Sequence, residues 1–178
     1  MKNKSTSVFI TFILALSISL FTSNQAIAQV NDIFELNSAS KIQAKSTIAK
    51  SINAESTNDR IEFYNLIHNL HPTIYIVNNT IKKVYGKNQI KKITIEDSNS
   101  YNILNSKNNK YKSVELITLK LNSINDLNNQ LDLTTISELE SLKYVYIKCY
   151  FKHTPDDIKN FIKTNSNVRV FHIYANPS

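Results

Sequence analysis

Three apolar positions spaced 1, 4, 6 recur four times in the second half of the chain. The sets are Ile90, Ile93, Ile95; Leu116, Leu119, Leu121; Leu142, Val145, Ile147; and Val168, Phe171, Ile173. Their first members stand 26 residues apart each time, and all twelve are Ile, Leu, Val or Phe. A fixed step of roughly 20–50 residues marks one supersecondary unit stacked on copies of itself. Positions 4 and 6 share one face of an extended strand. The residues between units must carry the chain back, so that the next strand lies parallel beside the last.

The return is legible in two units. After the third strand, Thr154 suits an N-cap and Pro155 the first helical position. Asp156 and Asp157 favour the positive helix end, and Ile158, Phe161 and Ile162 supply a buried stripe. In the second unit, residues 134–142 read as a short helix with Ile136, Leu139 and Leu142 on one side.

The pattern L-x-x-L-x-L at this period resembles the leucine-rich-repeat family over residues 90–176. The resemblance implies α/β architecture: leucine-rich-repeat-like parallel strands with short return helices, preceded by a helix and a short antiparallel β-meander. The family's position-9 asparagine falls on Ser98, Ile124, Tyr150 and Asn176, so only the last matches. The buried asparagine ladder is therefore missing, and a compact α/β domain with a four-strand parallel sheet stays open. The segments 72–79 and 90–97 are also a little similar to the plug domains of TonB-dependent receptors, with Asn78-Asn79 where that family tends to have Asp-Gly.

Upstream, residues 29–57 are rich in Ser, Asn, Ala, Lys and Thr, and read as a linker or a weak helix over 40–54. Ile61, Tyr64, Ile67 and Leu70 recur at spacing three, which predicts an amphipathic helix over 59–70, with Asp59 and Glu62 as a capping pair and Pro72 as its stop. Thr73 to Val77 and Ile81 to Tyr85 predict a hairpin, because Asn78-Asn79 tolerates the positive φ of a two-residue turn. Gly86-Lys87-Asn88 gives the next turn.

The first 28 residues have the three parts of a secretory leader: Lys2 and Lys4, an apolar run from Val8 to Phe21, and Ala26-Ile27-Ala28 as a cleavage site. Cleavage there removes two lysines and no acid, lowering the charge from +7 to +5. The expected organisation is a signal peptide over 1–28, the segment 29–57, and one α/β domain over 58–178 with no transmembrane span in the mature form. The expected location is periplasmic or extracellular.

The composition narrows the chemistry. One glycine, Gly86, excludes the multi-glycine phosphate loops, and one cysteine excludes an internal disulfide and multi-thiolate metal sites. Cys149 with His153 or His172 is the start of a cysteine nucleophile for a hydrolase, or a buried structural thiol. His68 and His71, with Glu62 on the same helix, lack an evident third metal ligand. Lys82, Lys83, Lys87, Lys91 and Lys92 can attract an anionic surface or guard a sheet edge. No nucleic-acid motif accompanies them, so no nucleic-acid partner and no cofactor is expected.

The leading expectation is a secreted, non-enzymatic binding or accessory protein, its partner a protein or envelope component. Strand alternation points Lys92, Thr94, Glu96, Thr118, Lys120, Asn122, Tyr144, Tyr146, Lys148, Val170, His172 and Tyr174 outward. Lys120, Tyr144, Tyr146, Lys148, His172 and Tyr174 form the candidate binding set, since aromatic rings give contact area at low entropy cost. N-terminal sequencing of the exported protein should begin at Gln29; a retained leader in the membrane fraction would overturn the export reading.

Overall fold

The computed structural model describes residues 33–36 and 54–175. The leader, the stretch 37–53 and Asn176 lie outside the described residues. The described part is mixed α/β, built on a seven-stranded sheet that is parallel except at one edge. In chain order the elements are β1 (Ile33–Glu35), α1 (Ala54–His68), β2 (Thr73–Val77), β3 (Thr80–Tyr85), β4 (Lys92–Ile95), β5 (Leu116–Leu121), β6 (Leu131–Asp132), β7 (Tyr144–Cys149), α2 (Pro155–Phe161), β8 (Ile162–Lys163) and β9 (Arg169–Tyr174). The order across the sheet is β1-β9-β7-β5-β4-β2-β3, with β6 and β8 forming a separate two-stranded piece.

The four strands expected from the repeat are present, mutually parallel and in chain order. The step between them is not the one in the sequence. Ile93, Ile117, Val145 and Val170 lie side by side, so the units advance by 24, 28 and 25 residues. Leu116 consequently faces away from the repeat core, and so do Phe171 and Ile173. The reason is that both faces of this sheet are covered. A strand with apolar side chains on both faces, such as Arg169–Tyr174, offers no wholly polar face to set its phase.

One face packs on the return segments. Ile74, Ile76, Ile93, Ile95, Ile117, Leu119, Leu121, Val145, Ile147, Cys149 and Val170 line it, and Leu104, Tyr111, Leu139, Ile158 and Phe161 close it from the returns. Only the third return is an α-helix, with the expected Thr154 cap, now completed by Asp157 as a capping box. The stretch 134–142 is a series of turns rather than a helix, joined by Ile136 N to Leu133 O, Leu139 N to Ile136 O and Leu142 N to Leu139 O. Polar side chains link the segments at the ends of the strands. Asp97 accepts from the Asn78 amide at 2.8 Å, and Ser98 donates to Asp126 at 2.7 Å, which in turn holds the Asn122 and Ser123 amides. These bonds tie the hairpin turn to the first return and the first return to the second.

The opposite face carries α1. The helix begins five residues before the expected start, so Asp59 and Glu62 are internal and face the sheet instead of capping. Asp59 pairs with Arg169 at 2.6 Å, and Glu62 with Lys143 at 2.6 Å. The ring of Phe63 stacks on Phe171 with centroids 4.0 Å apart and also touches Tyr144 and Tyr146. Leu66 joins the same cluster with Leu116. The helix thus passes from β9 over β7 to β5, across the strands.

Two further expectations change. Part of the expected linker is sheet: β1 pairs in parallel with β9 along Ile33–Glu35. The hairpin forms as expected, with Asn78 and Asn79 at φ 49° and 55°. But β4 is not the third strand of a meander. It pairs with β2 in parallel, on the side away from β3. Gly86 makes the connecting turn at φ 84°, where a Cβ would come within 3.0 Å of Pro72.

Phe63 and Leu119 are fully buried in the two separate cores. Phe63→Ala is expected to cost about 3–5 kcal/mol and Leu119→Ala about 2–5 kcal/mol in urea unfolding. Exposed Ile124, replaced by Ala, should stay within about 0.5 kcal/mol of the parent. Equal midpoints for all three would show that the two cores are wrongly drawn.

Candidate functional site

The α1 face of the sheet is only partly covered. Phe63 seals Tyr144 and Tyr146 beneath the helix, and the Tyr144 hydroxyl bonds to the Asp59 carbonyl and to Glu62. Beyond the helix, the register sets a row of Val77, Glu96, Lys120, Lys148 and Ile173 across neighbouring strands. Lys120 and Lys148 are direct neighbours in that row. Lys120 forms an ion pair with Glu96. Lys148 has no ion pair among the described residues, and its ammonium lies 5.3 Å from the centroid of the Tyr146 ring. Burial, and then the Lys120 charge, lowers the Lys148 pKa. Burial, and then Lys148, lowers that of Lys92 on the same face. The strip therefore carries two ammonium groups, Lys120 and Lys148, against one carboxylate. Such a surface can hold an anion.

Of the six residues in the candidate set, Lys120, Tyr146 and Lys148 come together. Tyr146 contributes its buried ring, and burial pushes its hydroxyl up to about 12. Tyr144 is sealed under α1. His172 and Tyr174 are on the opposite face, because the phase of β9 places Arg169, Phe171 and Ile173 on the α1 side. Val170, also expected outward, is in the repeat core.

The nucleophile reading finds no arrangement to work with. Cys149 is a buried core residue whose thiol burial pushes up to about 12. The two histidines bond to each other instead, His153 Nε2 to His172 Nδ1 at 2.8 Å. His153 Nδ1 lies 3.2 Å from the Phe151 carbonyl, which only accepts, so that nitrogen carries the hydrogen. His153 Nε2 then accepts from His172 Nδ1–H. His172 Nε2 is left as a bare lone pair, buried and without a partner.

The remaining expectations are placed as follows. His68 stacks on Tyr64, and His71 contacts Asn65 at the helix end. Among the described residues no group of three or more His, Cys, Asp or Glu is arranged to hold a metal ion. Lys82 and Lys83 lie on β3, the exposed sheet edge, where a guard was one of their two readings. Lys91 pairs with Glu115. Sequence reasoning missed Tyr75. Its place on this face follows from strand alternation with Ile74 and Ile76, which are buried in the opposite core. Compared with protein-family models, curated proteins and solved structures, the chain matches none. Among the described residues no helix is long and apolar enough to cross a membrane.

The His153–His172 pair makes stability depend on pH. Burial, and then the His153 charge, depresses the folded pKa of His172 to about 4, from an ordinary 6.5. Its contribution is therefore complete above pH 6.5 and is lost as pH falls toward 4, where the folded form also protonates. The full loss is about 3 kcal/mol. A series of urea midpoints from pH 7 to pH 4 should show this decline, and His172→Phe should flatten it. An unchanged slope in the variant would place the acid sensitivity elsewhere.

Proposed function

We propose that the protein is a non-catalytic binding module, exported and leucine-rich-repeat-like, that holds an anionic envelope polymer on the helix-free part of its sheet face. The architecture supports the comparison through successive parallel strands, each followed by a return on one face. The uneven steps and the Asp97–Ser98–Asp126 bonds are its departures from the family pattern.

The observation that carries the binding reading is the direct adjacency of Lys120 and Lys148 with a single compensating carboxylate. Like charges directly opposite on neighbouring strands destabilise a sheet. Partial burial adds to the cost by disfavouring the charged form of Lys148. An anion laid over the strip relieves both penalties. The strip also runs across strands, so it suits an extended ligand with repeated charges better than a single small ion. A hydrolase built on Cys149 gains no support from its buried thiol.

Polygalacturonate, a polymer with one carboxylate per sugar, is a suitable calorimetric probe. Lys120→Ala/Lys148→Ala is expected to weaken its binding by about tenfold or more, and raised salt should weaken the parent. The same variant should unfold at the parent's urea midpoint or above it. A variant that binds as tightly as the parent would show that this strip is not the site.

A further inference from the structure

The exposed edge strand carries an irregularity that the binding strip does not explain. Along the hairpin, Tyr75 pairs with Lys83 but the next residue, Ile76, pairs with Ile81. Lys82 is thus an extra residue, a β-bulge in β3. In a regular strand Lys82 and Lys83 would project to opposite faces. Here both line one open cavity of about 420 Å³, together with Tyr75, Val77, Tyr85 and Glu96. Bulges re-aim side chains in this way, and they are over-represented beside functional sites.

The lining has three kinds of group. Lys82 and Lys83 form no ion pair among the described residues, so two ammonium groups are free for a ligand. Tyr75 and Tyr85 are 36% and 44% exposed and offer ring surface. Glu96 is already neutralised by Lys120, leaving carboxylate lone pairs that accept hydroxyl hydrogens without adding an unpaired charge. A guard against edge pairing needs charge or a bulge, but it needs neither ring surface nor an acceptor. The cavity also falls within the range of roughly 300–1,000 Å³ used for small ligands.

We propose that this bulge builds a second site, for a sugar phosphate: a phosphate monoester held between Lys82 and Lys83, with its hydroxylated ring against Tyr75 and Tyr85 and a ring hydroxyl donating to Glu96. Two adjacent ammonium groups match the phosphate monoester, which carries close to two negative charges at neutral pH. A carboxylate or sulfate ester carries one. The site goes beyond the polymer surface above and shares only Val77 and Glu96 with it, so variants of the lysines separate the two.

The test is calorimetric titration of the full exported protein with glucose 6-phosphate, glucose, glucose 6-sulfate and inorganic phosphate. Glucose 6-phosphate is expected to bind about tenfold tighter than each of the other three. Lys82→Ala/Lys83→Ala, and separately deletion of Lys82 to restore a regular strand, should each remove that preference. Lys148→Ala, which leaves the Lys120–Glu96 pair in place, should weaken polygalacturonate binding but keep that preference, which distinguishes failure of this site from failure of the strip. If glucose 6-phosphate binds no better than inorganic phosphate, or if the Lys82/Lys83 variant keeps the preference, the proposal is overturned. Aggregation of that variant with the preference intact would likewise overturn it and leave the lysines as edge guards.

Discussion

Everything on the α1 side of the sheet depends on the burial of one phenyl ring. A sheet built of parallel strands needs cover on both faces, and the segments that return the chain from strand to strand supply only one cover. The other cover is α1, and its hold on the sheet centres on Phe63, packed against Phe171, Tyr144 and Tyr146. The ion pairs Asp59–Arg169 and Glu62–Lys143 flank that contact. They are partly exposed, so they set the helix's direction across the strands more than they stabilise it. The helix also determines what remains open: it occupies the aromatic rows and leaves the lysine row.

Much of the architecture was legible in the residues. Thr154-Pro155 marked the start of α2, Asn78-Asn79 marked the hairpin, and the recurring apolar sets marked four parallel strands. What could not be read was phase. Polar-apolar alternation tells inside from outside only when one side is wet. Where Phe171 packs under a helix and Val170 packs in the repeat core, both are apolar and the sequence is silent on which is which. The equal 26-residue step was a coincidence of that ambiguity. Taking Leu116 and Phe171 as core-facing yields equal spacing, whereas hydrogen-bonded neighbours give unequal returns.

The candidate site was half legible for the same reason. Lys120 and Lys148 occupy strands whose phase was read correctly, and they meet. His172 was carried to the wrong face with the rest of β9. Tyr144 was placed on the right face, but nothing in its own strand announced that α1 would lie over it. The bulge at Lys82 has no signature in the residues. Lys82 and Lys83 read as an ordinary charged edge until the slip in pairing turns them to one side.

The pairing of β1 with β9 joins positions far apart in the chain, Ile33 with Val170. That contact closes a loop of nearly the whole domain, and long loops of this kind slow folding because their closure entropy must be met before the contact forms. The earliest of the described strands thus waits for the latest. Until residue 174 is available, β1 has no neighbour, and Phe63 lacks the Phe171 ring it stacks on. A chain of this design stays incomplete while it is being made or moved, and finishes as a unit.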